Sequence, residues 1–209
     1  MFKVIKRLFD IIVSFLGLLI LSPLFLLLTI LIKCDSKGPV FFIQKRVGRN
    51  GKKFGIFKFR TMRINAEELI ASFTPEQLKE WKENFKLKND PRITRVGKFL
   101  RNTSLDELPQ LINIVIGNMS LVGPRPHMLH HTEVYGSLID KYMVRHFSKP
   151  GITGWAQVTG YRGETKELWQ MEERVRRDIW YIENWSFWLD IRIIFLTAKS
   201  IICPDKNAY

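Results

Sequence analysis

The sequence predicts a mostly helical α+β protein whose chain enters a membrane near its start. Residues 11–32 are uncharged and almost all apolar, which is typical of a helix in lipid. Two short alternating segments flank an Asn-Gly pair, which indicates a β-hairpin. The second half of the chain places apolar residues at helical spacing. With 209 residues, 46% of them hydrophobic, one globular domain beside the membrane segment is the simplest organisation.

The apolar segment at residues 11–32 is long enough to cross a bilayer. As a helix it would extend about 33 Å, against about 30 Å of hydrocarbon. Ser22 and Pro23 interrupt it near the middle, because proline removes a helical hydrogen bond. Basic residues, which favour the cytoplasm, flank it on both sides: Lys3, Lys6 and Arg7 before it, and Lys33, Lys37, Lys45, Arg46 and Arg49 after it. The residues alone leave two arrangements open, a kinked helix that crosses and a re-entrant hairpin that returns.

The remaining elements follow from turn signals and periodicity. The predicted hairpin pairs residues 39–46 with residues 53–62 through a turn at Asn50-Gly51. A helical pattern over residues 66–85 breaks at Thr74-Pro75, where Thr74 caps the helix that follows. Further helices are predicted over residues 105–115, 132–147, 167–184 and 187–202. Aromatic residues precede the last of these and three charges interrupt it, so we expect an amphipathic helix at the membrane interface or in the core.

The charge of the chain restricts its partners. It carries 33 Lys and Arg against 20 Asp and Glu, and residues 37–63 hold nine cations and no acid. Such an excess favours nucleic acid, an anionic membrane surface or phosphorylated ligands. The two cysteines, Cys34 and Cys203, indicate neither a disulfide framework nor a metal site, and fit a reducing, cytosol-facing location. Phosphate-binding loops, dinucleotide fingerprints and nucleophile elbows are absent from the sequence, which disfavours the enzymes that use them.

An adjacent acid pair, Asp106-Glu107, stands in this basic chain. Together with Ser104 it fits the capping-box pattern, with Ser104 as the helix N-cap and Glu107 three residues on. A purely structural cap explains the pattern by itself. A helix N-terminus also favours anions, and nearby cations keep a carboxylate ionised, so the same pair is a candidate nucleophile or metal ligand.

A second candidate is Arg125, which stands between Pro124 and Pro126. The prolines restrict the backbone and so preorganise a guanidinium that suits a phosphate group or a nucleobase edge. A rigid turn with a solvated arginine is the alternative. Other cations are candidates for additional phosphate contacts, although each is also consistent with a solvated surface charge: Lys58, Arg60, Arg101, Arg145 and Lys149.

Eight motifs carry a resemblance over nearly the whole chain. They are Lys6-Arg7-Leu-Phe-Asp10; Ser22-Pro23; Gly38-Pro-Val-Phe-Phe; Phe57-Lys58-Phe59-Arg60-Thr61-Met62; Ser104-Leu-Asp106-Glu107-Leu-Pro-Gln-Leu; Leu121-Val-Gly-Pro-Arg125-Pro; Lys149-Pro-Gly-Ile-Thr-Gly-Trp-Ala-Gln; and Asp178 with Tyr181. In this order they resemble the bacterial sugar transferases known as monotopic phosphoglycosyl transferases.

The resemblance implies both location and activity. Residues 1–36 would form a re-entrant membrane helix hairpin broken at Ser22 and Pro23, with basic flanks. Residues 37–209 would form a small catalytic domain, with a short β-hairpin and interfacial amphipathic helices, on the cytoplasmic face of the bacterial inner membrane. The implied reaction transfers a sugar-1-phosphate from a UDP-sugar to polyprenyl (undecaprenyl) phosphate, the first membrane step of polysaccharide or glycoconjugate assembly.

The resemblance also implies a mechanism. Asp106 would attack the phosphate that bears the sugar, form an aspartyl-phosphosugar intermediate and release UMP, with Mg2+ held by Asp106 and Glu107. The residues expected to contact substrate are Lys58, Arg60, Arg101, Pro124, Arg125, Pro126 and Arg145. The basic stretch at residues 37–63 would hold the domain on anionic membrane lipids.

The sugar is predicted from two narrower matches. Residues 160–165 and 185–190 resemble members that load glucose-1-phosphate onto undecaprenyl phosphate for exopolysaccharide synthesis. The alternatives are the same chemistry with UDP-galactose or a UDP-N-acetylated sugar, and, from another class, a membrane-tethered basic adaptor or nucleic-acid binder. We expect no nucleic acid partner, and a homodimer is left open.

Overall fold

The structure, a computed structural model, describes residues 2–84, 87, 89–163, 165 and 167–202. Phe85, Glu164 and Cys203, which enter the predictions above, lie outside these residues. The chain packs as two compact units: the first comprises Met1–Leu18, Gln44–Ile56 and Gln110–Tyr209, and the second comprises Leu19–Ile43 and Phe57–Pro109. The division predicted after residue 36 concerns membrane insertion, which this packing does not test, and it stays a prediction.

Helices dominate the described chain. In order, the helices and strands are α1 Phe2–Ile20, α2 Ser22–Asp35, β1 Phe41–Val47, β2 Lys53–Phe59, α3 Pro75–Asn84, α4 Arg95–Thr103, α5 Gln110–Ile116, β3 Ser120–Val122, α6 Leu129–Leu138, β4 Gly151–Thr153, α7 Leu168–Glu183 and α8 Phe187–Ile202. Strands β1 and β2 pair in one two-stranded sheet, and β3 and β4 pair in another. This arrangement confirms the predicted mostly helical α+β class.

Helices α1 and α2 are separated at the predicted break. Ser22 donates its hydroxyl to the carbonyl of Leu19 at 2.8 Å, and Pro23 lies in the first turn of α2, where a missing N–H costs no helical bond. Among the described residues, no single helix is long and apolar enough to cross a membrane. The pair Lys3–Ile20 and Ser22–Asp35, bent by 59°, meets the criteria of length and composition together.

Helix α1 has its polar residues on the inside. Lys6, Asp10 and Ser14 follow a spacing of four residues and therefore share one face. Asp10 and Ser14 are buried, and Asp10 accepts a hydrogen bond from the backbone N–H of Leu121 at 3.1 Å. Large apolar side chains of the same helix are exposed instead: Val4, Ile5, Leu8, Ile12, Val13, Phe15 and Leu16. This polarity is the reverse of a helix on a water-soluble domain.

Several predicted elements are confirmed. Asn50 and Gly51 adopt φ values of 55° and 73° in the turn between β1 and β2, the conformation for which an Asn-Gly pair is selected. Thr74 caps α3 through its hydroxyl, which accepts from the backbone N–H of Gln77 at 3.2 Å. Helices α7 and α8 match their predictions within one residue at each described end.

The predicted helix over residues 105–115 is wrong in its first half. Ser104 ends α4 in the left-handed conformation with φ 56°, and although it also precedes the next turn, its side chain makes no cap bond to that turn. Leu105–Glu107 form a short 3-10 turn, and α5 begins only at Gln110. The physical reason is Pro109, which has no N–H to continue a hydrogen-bond ladder and so is tolerated only at a helix start.

Two further predictions are corrected. The helix expected over residues 132–147 is divided into α6 and the 3-10 turn Tyr142–Phe147: Ile139 leaves the helical conformation with φ −113° and ψ 120°, and Lys141 is left-handed with φ 58°. The first half of the helix expected over residues 66–85 is a 3-10 turn at Glu68–Ser72. The parallel pairing of β3 with β4, which aligns Ser120 with Gly151 and Val122 with Thr153, was not predicted.

The β3–β4 pair positions the segment that follows β3. Gly123 donates its N–H to the carbonyl of Thr153 at 2.9 Å, and Gly151 donates to the carbonyl of Pro124 at 3.0 Å. A side chain at either glycine would collide with the facing backbone, so these positions require glycine for space. The segment Gly123–Pro126, called the Pro-Arg-Pro loop below, therefore leaves β3 in close contact with β4.

Candidate functional site

The acid pair lies on a turn that the core of the second unit anchors. Leu105 and Leu108, on either side of Asp106 and Glu107, pack against the cluster of Leu28, Ile32, Phe59 and Leu100. The two acidic side chains are 13% and 16% exposed. Fixed leucines on both sides hold the two carboxylates at a defined place on the surface of this unit.

Lys58 brings a positive charge to the acid pair. Its Nζ lies 2.9 Å from Oε1 of Glu107 and 4.0 Å from Oδ2 of Asp106. Lys58 is on β2, where side chains of alternate residues share a face. A cation at this distance favours the ionised form of both carboxylates. The sequence nominated Lys58 as a phosphate contact, and the structure places it beside the predicted nucleophile.

Arg101 and Arg60 have different surroundings. Arg101, in the last turn of α4, donates from Nε to the hydroxyl of Thr61 at 2.9 Å, and its charge interacts with that of Asp106. Arg60 is buried and donates to the carbonyls of Ser36 and Lys37 just after α2. Its contacts thus hold the segment that follows α2, and its predicted contact with substrate stays a prediction.

The Pro-Arg-Pro loop belongs to the first unit. Arg125 is partly exposed, whereas Pro124 before it is buried. A small pocket borders the loop, lined by Val47, Gly48, Pro124, Arg125, Pro126, Arg145, His146, Ser148 and Pro150. The predicted contact of Arg125 with a phosphate group or a nucleobase edge stays a prediction.

Arg145 is buried behind the loop. Its side chain is 1% exposed, and its Nε and Nη2 donate to Oδ2 of Asp178 at 3.0 and 2.6 Å. Nη2 also donates to the backbone carbonyl of Arg125 at 2.8 Å. Burial raises the pKa of Asp178, and the charge of Arg145 opposes that rise. Arg145 therefore contacts the loop backbone, and the expected contact with substrate stays a prediction.

Two neutral histidines pack near this ion pair. The Nδ1 atom of His127 lies 2.7 Å from the hydroxyl of Tyr142. Burial lowers the pKa of His127 well below its usual value, and the charge of Arg145 acts in the same direction. Burial likewise lowers the pKa of His146 to about 4, again assisted by Arg145. Both rings are therefore uncharged at pH 7 and add no repulsion to the neighbouring arginines.

A second buried aspartate, Asp190 on α8, was not among the predicted site residues. It accepts hydrogen bonds from Lys6 of α1, Tyr181 of α7 and the indole of Trp185. In the sequence, Lys6 and Asp190 both stand in segments that carry the family resemblance, and polar residues recur every fourth position in the apolar helix α1. That spacing shows a polar face and does not identify its partners.

The carboxylates of Asp106 and Glu107 suit a Mg2+ ion that takes its other ligands from substrate phosphates and water. Within the described part of the chain, no cluster of three or more His, Cys, Asp or Glu side chains is able to hold a metal. Mg2+ commonly uses one or two carboxylates together with substrate phosphates and water. Two adjacent carboxylates therefore fit this ion as a substrate-dependent ligand pair, with Lys58 as their cation in this structure.

Comparisons with known proteins give similarity over almost the whole chain. The sequence profile described as bacterial sugar transferase matches residues 1–204. The UDP-glucose:undecaprenyl-phosphate glucose-1-phosphate transferase of Klebsiella pneumoniae is 51% identical over 209 residues, which cover 99% of this chain and 42% of that protein. The undecaprenyl-phosphate galactose phosphotransferase of Salmonella typhimurium is 45% identical over 206 residues, covering 97% and 41%.

Coverage differs among the relatives. This chain spans about two-fifths of the length of the two proteins just named. It spans 72% of a UDP-glucose:undecaprenyl-phosphate glucose-1-phosphate transferase from Caulobacter vibrioides, with 41% identity over 204 residues that make up 98% of this chain. The similarity to that relative therefore covers most of both proteins.

Proposed function

Because the chain belongs to the bacterial sugar transferase family, we propose that it transfers a sugar-1-phosphate from a UDP-sugar to undecaprenyl phosphate. The observation that carries this proposal is the anchored pair Asp106-Glu107 with Lys58 beside it. Ionised carboxylates next to a fixed cation suit covalent phosphoryl transfer, in which the enzyme must attack an anionic phosphorus. The printed names of relatives supply the donor and acceptor classes.

The first step forms a bond between a carboxylate oxygen of Asp106 and the phosphorus that bears the sugar. The phosphoanhydride bond to UMP breaks, and UMP leaves with the bond electrons. In the second step an oxygen of undecaprenyl phosphate attacks the same phosphorus and releases Asp106. This order allows the soluble donor product to leave before the lipid acceptor binds.

Repulsion between Asp106 and the donor diphosphate is the main obstacle to the first step. Lys58, 4.0 Å from Asp106 and 2.9 Å from Glu107, reduces the net negative charge of the acid pair. Arg101 adds a further positive charge that interacts with Asp106. Mg2+, held by Asp106 and Glu107, would supply additional neutralisation of phosphate charge when bound.

Glucose is the sugar we favour. The Klebsiella, Escherichia and Xanthomonas relatives, at 48–51% identity, are named as transferases of glucose-1-phosphate. Relatives named for galactose are 43–45% identical, within the 41–51% range of the relatives named above for glucose, which makes UDP-galactose the second candidate. The assay below includes both sugars and a UDP-N-acetylated sugar.

The proposed location is the cytoplasmic face of the bacterial inner membrane. The outward apolar face of α1 and the exposed Trp188 and Phe195 of α8 support contact with lipid. A re-entrant hairpin would put both ends of the α1–α2 pair on the cytoplasmic side. In cells, Cys34 and a cysteine introduced by Lys3→Cys should then both be protected from a membrane-impermeant reagent added outside. Labelling of one of the two sites from outside would show a crossing helix instead.

A trapping experiment tests the reaction. The detergent-solubilised protein is incubated with Mg2+ and a panel of UDP-sugars without undecaprenyl phosphate, and the peptide that contains Asp106 is analysed by mass spectrometry. We expect a phosphosugar adduct and UMP release with UDP-glucose, and neither with Asp106→Asn. The matched control Asp140→Asn, which changes an exposed acid, should behave as the unmodified protein.

The outcomes separate the alternatives. Turnover with the acceptor present, but no adduct with any donor, would contradict the covalent intermediate. An adduct formed only from UDP-galactose would change the sugar and keep the mechanism. Absence of turnover with all donors, together with salt-dependent binding of DNA or RNA, would favour the basic adaptor over the enzyme.

A further inference from the structure

Both ends of the Pro-Arg-Pro loop are held through backbone carbonyls. The carbonyl of Val122, just before the loop, accepts from Nζ of Lys6 at 3.2 Å. The carbonyl of Arg125 accepts from Nη2 of Arg145 at 2.8 Å. Hydrogen bonds to a charged donor are stronger than neutral ones, so each cation is an effective restraint on the backbone.

At the first end, Asp190 holds the cation in place. Its Oδ2 lies 2.5 Å from Nζ of Lys6 and accepts from Nε1 of Trp185 at 3.1 Å. Its Oδ1 accepts from the hydroxyl of Tyr181 at 2.6 Å. That hydroxyl is also 3.2 Å from the carbonyl of Val122, but it has one hydrogen, and the shorter contact to the carboxylate is the stronger. Lys6 is therefore the main donor to Val122.

At the other end, Asp178 has the same function for Arg145. The two side chains are 3% and 1% exposed, so neither charge is compensated by water. Both Nε and Nη2 of Arg145 donate to one oxygen of Asp178, which fixes the plane of the guanidinium. Nη2 is thereby directed at the carbonyl of Arg125.

Between the two restrained carbonyls, little backbone freedom remains. Pro124 and Pro126 have fixed φ angles, and the N–H of Gly123 and the carbonyl of Pro124 are bonded to β4. Movement of the Arg125 guanidinium is thus reduced to its own side-chain torsions. An arginine whose backbone is already fixed loses less conformational entropy when its guanidinium binds a ligand.

We propose that Asp190 and Asp178 are positioning residues that aim Arg125, through Lys6 and Arg145, for binding the anionic donor. This inference rests on the proposed function, because it requires that Arg125 contacts the UDP-sugar donor. Lys6 belongs to α1, so the position of the loop depends on the docking of that helix. The polar face of α1 acquires a function from this contact, as one restraint of the loop.

The test compares Asp190→Asn and Asp178→Asn with the control Asp140→Asn, which alters an exposed aspartate of the same unit. UMP release is followed at varied UDP-glucose concentration in detergent. Each buried variant should lower kcat/KM by about 10- to 100-fold, mainly through a higher KM, because a displaced contact group weakens donor binding. The control should remain within about two-fold, since its carboxylate touches neither end of the loop.

A double-mutant cycle distinguishes positioning from a general structural role. Arg125→Lys retains a cation and gives a background with measurable activity. In that background, Asp190→Asn and Asp178→Asn should cause less than about a three-fold further loss, because the contact they serve is already impaired. An equal loss in both backgrounds would overturn the proposal, as would buried variants that match the control.

A further variant and the activity of the unmodified protein distinguish failure of this proposal from failure to fold and from failure of the proposed function. If Asp178→Asn unfolds below the assay temperature, the Asp190 variants alone decide the test; if Asp190→Asn unfolds, Tyr181→Phe replaces it, since it retains the Lys6–Asp190 pair and removes one bond to the carboxylate. It should raise KM by about two- to five-fold, and an unchanged KM would count against the proposal. Absence of UMP release by the unmodified protein with every donor would instead overturn the proposed function.

Discussion

The buried ion pair of Arg145 and Asp178 permits a quantitative prediction for Asp178→Asn. The substitution preserves shape and removes the charge that faces Arg145 and Arg174. Breaking one partner of a fully buried pair costs about 3–5 kcal/mol, and with side chains 1% and 3% exposed this pair belongs to that class.

Arg174 adds to the effect. Burial lowers the pKa of Arg174 to about 10, repulsion from Arg145 contributes, and attraction to Asp178 opposes the shift. Without that carboxylate, the two guanidinium groups repel each other with no intervening acid. We therefore expect the upper part of the range, about 4–5 kcal/mol.

Thermal unfolding in detergent measures the loss. For a chain of this size, about 2–4 °C per kcal/mol corresponds to a fall in Tm of roughly 8–20 °C. The double variant Arg145→Met with Asp178→Leu should recover at least half of the fall, because no unpaired charge remains buried. A Tm within 2 °C of the unmodified protein, or a double variant less stable than Asp178→Asn, would refute the reasoning about buried charge.

Three further predictions concern pH, backbone space and charge at the acid pair. The folded state holds His146 with a pKa of about 4 against an ordinary 6.5, so between these values the unfolded chain binds the extra proton. Stability should fall as pH drops from 6.5 to 4, by at most about 1.4 kcal/mol per pH unit; urea titrations should show a shallower fall for His146→Phe, and an unchanged slope would contradict this assignment. Gly123→Ala should lower the free energy of unfolding by about 1–3 kcal/mol, because the new methyl group meets the backbone before β4. Gly163→Ala, where the added carbon meets open space, should change it by less than about 0.5 kcal/mol, and equal losses would contradict the steric argument. Lys58→Met should reduce kcat/KM for UMP release by about 100-fold. The control is Lys53→Met, which replaces the exposed lysine at the start of β2. An effect of Lys58→Met no larger than that of the control would show that the Lys58 cation is dispensable.

Local signals predicted well the elements that depend on neighbours in sequence. Asn50-Gly51 specifies its turn because both residues tolerate positive φ, and Thr74 specifies the start of α3 through a bond to a residue three positions on. Helices α7 and α8 were predicted because a long periodic apolar face persists over several turns.

Ser104 shows where local patterns fail. Its sequence context fits an N-cap, yet it ends the preceding helix in the left-handed conformation, and the leucines on both sides of the acid pair pack against the cluster of Leu28, Ile32, Phe59 and Leu100. A short pattern is compatible with either end of a helix, so it does not by itself specify which end forms.

The same limit applies to the charged residues. The sequence predicted that Arg145 contacts substrate. It did not indicate that Arg145 forms an ion pair with Asp178, because the two residues are 33 positions apart. The sequence placed Lys6 among the basic residues that flank the membrane segment. It did not indicate the hydrogen-bond partners of Lys6, the carbonyl of Val122 and the carboxylate of Asp190, which are 116 and 184 residues away.

By itself the sequence determined the class of fold, the break at Ser22-Pro23, and the two motifs that contain Asp106 and Arg125. Those features arise from side-chain chemistry and from backbone restrictions that act within a few residues. Only the tertiary structure decided which cations face the acid pair and which hold the loop backbone. An ion pair forms where folding brings two charges together and removes water from both, and no local pattern specifies that meeting.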